Sequence, residues 1–223
     1  MKYVRIQSID DPLFRDMHRL METVFPDEEV LAFGLWAEPL RDPGIHVYVA
    51  VDEEEVVGAT EYRYYADMEV AMTDFTIIGK AGLGVGPFLV KRREADLLRM
   101  VREQNGRFIG MFAEIYNPYL VEEHHFGGIK PMDPYVRREV LAHLGYRRLD
   151  LEYIHPSWNN DGTPVRELDL GFLTYEQDID ELPASLVFHF LETYYSALGN
   201  KPREWHDMMD GLREQRVISL LPL

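Results

Sequence analysis

The sequence predicts a mixed α/β fold: a central, mostly antiparallel, twisted sheet flanked by helices, with a helical C-terminal extension. Three observations point there. Strand-like runs at 46–51 (HVYVAV), 56–65 (VVGATEYRYY) and 68–78 (MEVAMTDFTII) follow one another with links too short for crossover helices. The third run passes directly into a glycine-rich turn, GKAGLGVGP (79–87), and then into a long helical stretch. Beyond residue 176 the apolar side chains recur at helical rather than strand spacing.

Taken in order, residues 3–9 alternate as a half-buried strand does, and Asp10-Asp11-Pro12 supplies a helix start with proline near its first position. That helix is expected to reach Phe25. Pro26-Asp27-Glu28-Glu29 interrupts it, and Val30, Leu31, Phe33, Leu35 and Trp36 suggest a second helix ending before Pro39. Asp52-Glu53-Glu54-Glu55 is the charged tip of a hairpin between the first two runs named above. After Pro87, the residues Phe88, Leu89, Leu97, Leu98, Met100 and Val101 mark one helix, closed at Asn105-Gly106. Residues 107–116 (RFIGMFAEIY) read as the next strand, which that helix can place parallel to its neighbour. An irregular stretch follows to Met132, and Asp133-Pro134 opens a helix that closes at Gly145. Strands at 147–154 and 165–175 form a hairpin around the turn SWNNDGTP. Two amphipathic helices then carry Leu186 to Leu198 and Trp205 to Leu212, and the apolar tail VISLLPL packs on its own core or on another subunit, as in a homodimer. The expected division is 1–176 for the α/β domain and 177–223 for the extension.

A chain of 223 residues holds one generous domain with an appendage, and 46% hydrophobic with 28% charged residues is ordinary for a globular protein. It contains no cysteine, which removes disulfides, thiolate metal sites and a cysteine nucleophile, and which suits a reducing cytoplasm. MKYVRIQSID lacks the apolar core of a signal peptide, and no run approaches the roughly 20 apolar residues of a membrane helix, so no membrane partner is expected. Acidic residues outnumber basic ones 39 to 23, a formal charge of −16, so nucleic acid is not an expected partner. The same field favours cationic small molecules such as amines, although such a charge also serves solubility alone.

A helix start leaves its first N–H groups unpaired and carries partial positive charge, so glycines that bring backbone close make an anion cradle. Gly82, Gly84 and Gly86 hold that position, and Pro87 suits a first helical residue. The alternative is a tight strand-to-helix turn with no ligand. The long helix behind it and the basic cluster Lys91-Arg92-Arg93 in an acidic chain favour the cradle. A dinucleotide-binding reading fits less well, because the strand comes fourth in an antiparallel run and not first in a βαβ unit.

The order strand, two helices, three antiparallel strands, glycine loop with helix, strand, helix and strand pair resembles the GNAT acyltransferase fold over residues 3–175. In that family the fourth strand enters a loop written Arg or Gln, two residues, Gly, any residue, Gly or Ala. AGLGVG (81–86) is similar to it, with Gly84 and Gly86 as the small positions and alanine in place of the leading Arg or Gln, so the phosphate grip depends more on backbone amides. The resemblance implies acetyl-CoA as acyl donor. The backbone of Thr76, Ile77 and Ile78 would pair with its pantetheine arm, and the amides of Gly82, Leu83, Gly84, Val85 and Gly86 would hold its pyrophosphate. Lys91, Arg92 or Arg93 would reach the adenosine 3′-phosphate, with Arg92 chosen, or else be solvated helix charges. Asn117 resembles the family's asparagine near the thiol end; otherwise it caps a turn.

The family often places a tyrosine four residues before the glycine of a Gly-Phe or Gly-Tyr pair, as acid for the leaving thiolate. Here that pair is Gly145-Tyr146, and the position holds Leu141. Direct transfer needs a neutral amine, donors for the developing oxyanion and a proton route. Tyr116, Tyr119 or Tyr135 are the candidate acids, and Asp74, Glu69 or Glu114 the candidate bases or anchors; the choice is Glu114 and Tyr116, with Asp74. Strand alternation would put Asp74 and Thr76 on one face, and Glu114 and Tyr116 on one face. Each carboxylate is more readily read as a solvent-facing strand residue or a paired surface charge, because acidic residues are seldom buried. His124-His125 lacks a spaced third ligand, so no metal is expected.

The sequence thus predicts an N-acetyltransferase acting on a primary amine of a small molecule or peptide. The rivals are a catalytically inactive coenzyme A-binding regulatory protein and a non-enzymatic interaction module built on the C-terminal helices.

Overall fold

The computed structural model describes residues 1–25, 30–120, 133–176 and 179–223. They form two compact units, one ending at Phe108 and the other beginning at Ile109. The architecture is mixed α/β, and the strand pairing within each unit is antiparallel.

In the first unit, β1 (Lys2–Ile6), β2 (Ile45–Asp52), β3 (Glu55–Tyr65) and β4 (Val70–Ile78) pair in chain order as a meander. Helix α1 (Pro12–Val24) starts where Asp11 caps the Leu13 N–H at 2.9 Å with proline first, as the sequence predicts. Its buried stripe of Phe14, Met17, Met21 and Val24 covers Val47, Val49, Ala59, Phe75 and Ile77 on one face of the strands. Helix α2 (Val85–Glu103) takes the opposite face, with Val85 and Leu89 packed against Ala50 and Val57. Gly58 permits this approach: a Cβ there would lie 2.5 Å from Val85 Cγ1 and 2.6 Å from the Ile77 carbonyl oxygen.

Two expectations for this unit are corrected. Residues 30–38 do not form an α-helix; they make one 3₁₀ turn, Phe33–Ala37, and a second, Pro39–Arg41, follows it. So short a segment gains little from helix propagation. It is anchored instead by Trp36, which is buried and donates its indole N–H to the Leu31 carbonyl at 3.1 Å. Helix α2 begins at Val85 with Gly84 as its cap, so Pro87 is its third residue and not its first.

The second unit contains β5 (Gly110–Tyr116), α3 (Pro134–His143), β6 (Tyr146–Leu149), the small hairpin β7 (His155–Pro156) with β8 (Pro164–Val165), β9 (Leu168–Thr174), β10 (Glu181–Pro183), α4 (Ala184–Tyr194), α5 (Arg203–Glu214) and β11 (Val217–Pro222). Its sheet order is β5-β9-β6-β11-β10. The expected strand at 147–154 is shorter, ending at Leu149. The apolar tail is a strand, with Leu220 opposite Leu149 and Ile218 opposite Leu182, and its buried Ile218 and Leu220 follow the two-residue period. The segment after residue 178 therefore contributes two strands to this sheet besides its two helices. The Phe112 ring stacks on Phe190 of α4 with centroids 4.1 Å apart.

Candidate active site

In the glycine turn, Gly82 and Gly84 have φ of +83° and +68°, values that a side chain makes costly. Among the described residues, and leaving aside the two chain neighbours, no heavy atom lies within 4 Å of where a Cβ would stand at either position, so the turn is open on that side. It meets a 19-residue helix whose first amides have no partner within the helix. Backbone donors at the open head of a long helix are the kind of group that holds a pyrophosphate. Val85 is buried, Leu83 and Ile78 are exposed, and Ile77 is in the core. Lys80 is held by Glu55 at 3.0 Å. Of the three basic residues behind the turn, Lys91 is exposed and the Arg92 guanidinium lies over the Phe88 ring at 5.5 Å. Arg93 turns into the fold.

Arg93 is 4% exposed, and its Nη1 donates to Thr60, Thr73 and Thr76 at 3.1, 2.8 and 2.6 Å. The threonines close a defect in the sheet. The β3–β4 register slips between Glu61, opposite Phe75, and Arg63, opposite Met72. Thr60 donates to the Phe75 carbonyl at 3.1 Å and Thr73 to the Glu61 carbonyl at 3.1 Å, so hydroxyls satisfy backbone acceptors beside the bulge. The slip overturns the expectation that Asp74 shares a face with Thr76. Thr73 joins Thr76 at Arg93, and Asp74 instead hydrogen-bonds Glu61. Glu61 is 8% exposed; burial and then the neighbouring Asp74 push its pKa well above the ordinary carboxyl range. Tyr62 faces the α2 side and gives its hydroxyl to Asp96 at 2.5 Å.

In the second unit, the register of β5 on β9 is regular, so Glu114 and Tyr116 do share a face. The Glu114 carboxylate accepts from Tyr153 at 2.5 Å and from Tyr195, and His155 Nδ1 lies 2.9 Å away. Burial alone would raise its pKa, but the His155 charge and these hydrogen bonds outweigh it and hold Glu114 below the ordinary range. A carboxylate so saturated is a poor proton acceptor. Asn117, at the end of β5, donates to Asp169 at 3.0 Å and accepts from the Tyr119 N–H at 3.1 Å. Asp169 also takes Arg138 Nη2 of α3 at 2.6 Å, in a buried pair. Tyr119 and Tyr135 meet edge to face, and Glu69 sits 3.9 Å from Arg107.

His124 and His125 lie outside the described residues. Among the described residues no group of His, Asp and Glu is arranged to hold a metal ion, and no helix is long and apolar enough to cross a membrane.

A protein from Bacteroides thetaiotaomicron assigned to the GNAT acetyltransferases superposes on this chain with a TM-score of 0.60, covering 90% of it and 100% of that structure at 15% identity. The chain has the GNAT acetyltransferase fold. The same GNAT fold is shared with a ribosomal-protein alanine N-acetyltransferase from Escherichia coli, at TM-score 0.52 and 8% identity over 80% of this chain and 96% of that one. It is shared too with an aminoglycoside 6′-N-acetyltransferase solved with coenzyme A, at TM-score 0.51 and 16% identity over 81% and 100%. No protein-family model matches the chain, and no curated protein matches it in sequence. In this GNAT fold the glycine turn and the β4 bulge are local features of the first unit. The turn was visible in the sequence. Glu61, Arg93 as a buried side chain, and the Tyr153, His155 and Tyr195 partners of Glu114 were not singled out; no residue spacing pointed to them.

Proposed function

We propose that the protein is an N-acyltransferase that moves an acetyl group from acetyl-CoA directly to a primary amine of a small molecule or peptide. The observation that carries this reading is the open, positive-φ turn at Gly82 and Gly84 heading α2, in a chain with the GNAT fold. The cofactor would supply an acyl group activated as a thioester. The amides of Gly82 to Gly86 would hold its pyrophosphate, and the backbone of Thr76 to Ile78 its pantetheine arm. Arg92 is the basic side chain proposed for the 3′-phosphate, since Arg93 is committed inside the fold.

For the amine, the half-buried Asp74 on the bulge is the better proton acceptor, because Glu114 is fully engaged. The excess of acidic residues supports a cationic acceptor, and the lack of cysteine accords with the cytoplasm.

The test is calorimetric titration with acetyl-CoA beside Gly84→Asp, whose side chain puts bulk and negative charge into the turn. One-to-one binding, lost in a variant that remains folded, supports the reading. No binding by the native protein removes it.

A further inference from the structure

We propose that Arg5, Tyr48 and His46, side by side on one face of β1 and β2, form a binding site for a small oxyanion of the sulfate, phosphate or carboxylate type. The site lies wholly within the first unit and does not depend on the acyl-transfer reading.

The sheet brings the three together. Arg5 stands directly opposite Tyr48 in the regular β1–β2 ladder, and His46 lies two residues along β2, so all three share a face. The diagonal from Arg5 to His46 is about 7–8 Å between backbone positions, within reach of a long side chain. The alternate residues Val47 and Val49 point the other way, into the core under α1. Stacked rings fix the positions on this face. His46 lies on Tyr62 with centroids 5.4 Å apart and planes 11° apart, Tyr48 lies 6.1 Å from Tyr62, and Tyr3 lies 4.1 Å from Tyr48. Tyr62 is fully buried and held to Asp96 of α2, so the row is anchored at its centre.

This row lacks acceptors. His46 is 9% exposed and its Nδ1 has no hydrogen-bond partner, and the buried Nε of Arg5 has none either. The nearby carboxylates are already engaged. Asp96 accepts from Tyr62 and from Arg99, and Asp42 accepts from Arg63 at 2.7 Å and from the Gly44 N–H at 2.8 Å. Among the described residues Arg5 has no carboxylate partner, in a chain with 39 acidic side chains to 23 basic. One edge of its guanidinium presents Nε–H and Nη–H in parallel, the pair that matches two oxygens of an oxyanion. Nδ1–H of His46 and the Tyr48 hydroxyl supply further donors from the same face. The Arg5 charge repels a cationic ligand and gives a neutral one no ionic gain. Arg5 and Tyr48 are half-buried, so the site opens to solvent beside them.

The site couples anion binding to a proton. Burial, and then the Arg5 charge, hold His46 below its ordinary range; Arg99 acts in the same direction, Asp96 and Asp42 act against it, and Tyr62 and Tyr48 face it as neutral rings. A bound oxyanion opposes the first two causes and raises the His46 pKa. Affinity therefore rises as pH falls through the window between the unliganded and the liganded value, about tenfold for each unit between them.

The experiment uses the full chain with two probes: sulfate, tetrahedral and of constant charge, and acetate, a planar carboxylate. Chloride at equal ionic strength is the blank. Sulfate stabilises folded proteins generally by exclusion from their surface, so the readout is not Tm. It is the Cε1–H resonance of His46 in the NMR spectrum, assigned by its loss in His46→Asn. A saturable shift is expected with sulfate or acetate and not with chloride, and the affinity is expected to be greater at about pH 6 than at about pH 8. Saturation by sulfate alone identifies a tetrahedral oxyanion, and saturation by acetate identifies a carboxylate. Arg5→Gln is expected to weaken binding by about tenfold or more, through loss of the charge-assisted pair. No saturable shift with either probe, a bridging water only, overturns the proposal, and so does unchanged affinity in Arg5→Gln. Should that variant fail to fold, the native protein decides: an affinity equal at the two pH values overturns the proposal.

Discussion

Arg93 Nη1 lies 2.6 Å from Thr76 Oγ1, and through Thr60 and Thr73 the same nitrogen braces both strands beside the bulge. A buried guanidinium facing three hydroxyls makes the bulge a fixed feature and not a local slack. Arg93→Met is expected to destabilise the first unit by about 2–4 kcal/mol, as three acceptors lose a charged donor. Urea unfolding reads this.

Gly58→Ala is expected to cost about 1–3 kcal/mol, the scale of overpacking a tight core, because the new methyl meets Val85 Cγ1 and the Ile77 carbonyl oxygen below 3 Å. The backbone oxygen cannot move aside, so the head of α2 is displaced. Acetyl-CoA affinity, read by calorimetry, falls with it.

Glu114 gives a pH-dependent stability of definite sign. Its folded pKa lies below the unfolded value of about 4.3, so its contribution is present above that value and is lost as pH falls through the folded pKa. Glu114→Gln is expected to flatten the acid side of the curve of unfolding free energy against pH, and to lower the curve above neutrality without changing its slope there. Urea titrations at a series of pH values check it.

Asp169→Asn removes the charge that faces Arg138 in a buried site. An unpaired buried guanidinium costs about 3–5 kcal/mol. Arg138→Met with Asp169→Asn together are expected to recover most of that loss, because both charges are then gone. A double-mutant cycle by urea unfolding measures the recovery.

The fold was legible because it is written in short-range patterns: period-two runs for β2 to β4, Asp11 and Asp133 as caps, and the glycine turn ahead of α2. The segment around Trp36 misled because an apolar stretch between prolines looks helical until a tertiary anchor decides otherwise. The acceptor side was not legible at all. A bulge depends on the partner strand, and one slipped position transfers Asp74 from Thr76 to Glu61. Glu114 was singled out, but its partners Tyr153, His155 and Tyr195 come from distant segments, and a strand pattern cannot say that a carboxylate will be enclosed.

The sheet order of the second unit has a kinetic consequence. The first unit is a meander whose strands find the neighbour just synthesised. In the second, β5 must wait for β9, and β6 for both β9 and β11, so every ladder except the β7–β8 hairpin closes a long loop. Refolding is expected in two phases: the fast one reports Trp36, and the slow one reports Trp158 and Trp205. During synthesis the second sheet stays unfinished until residues 217–222 emerge.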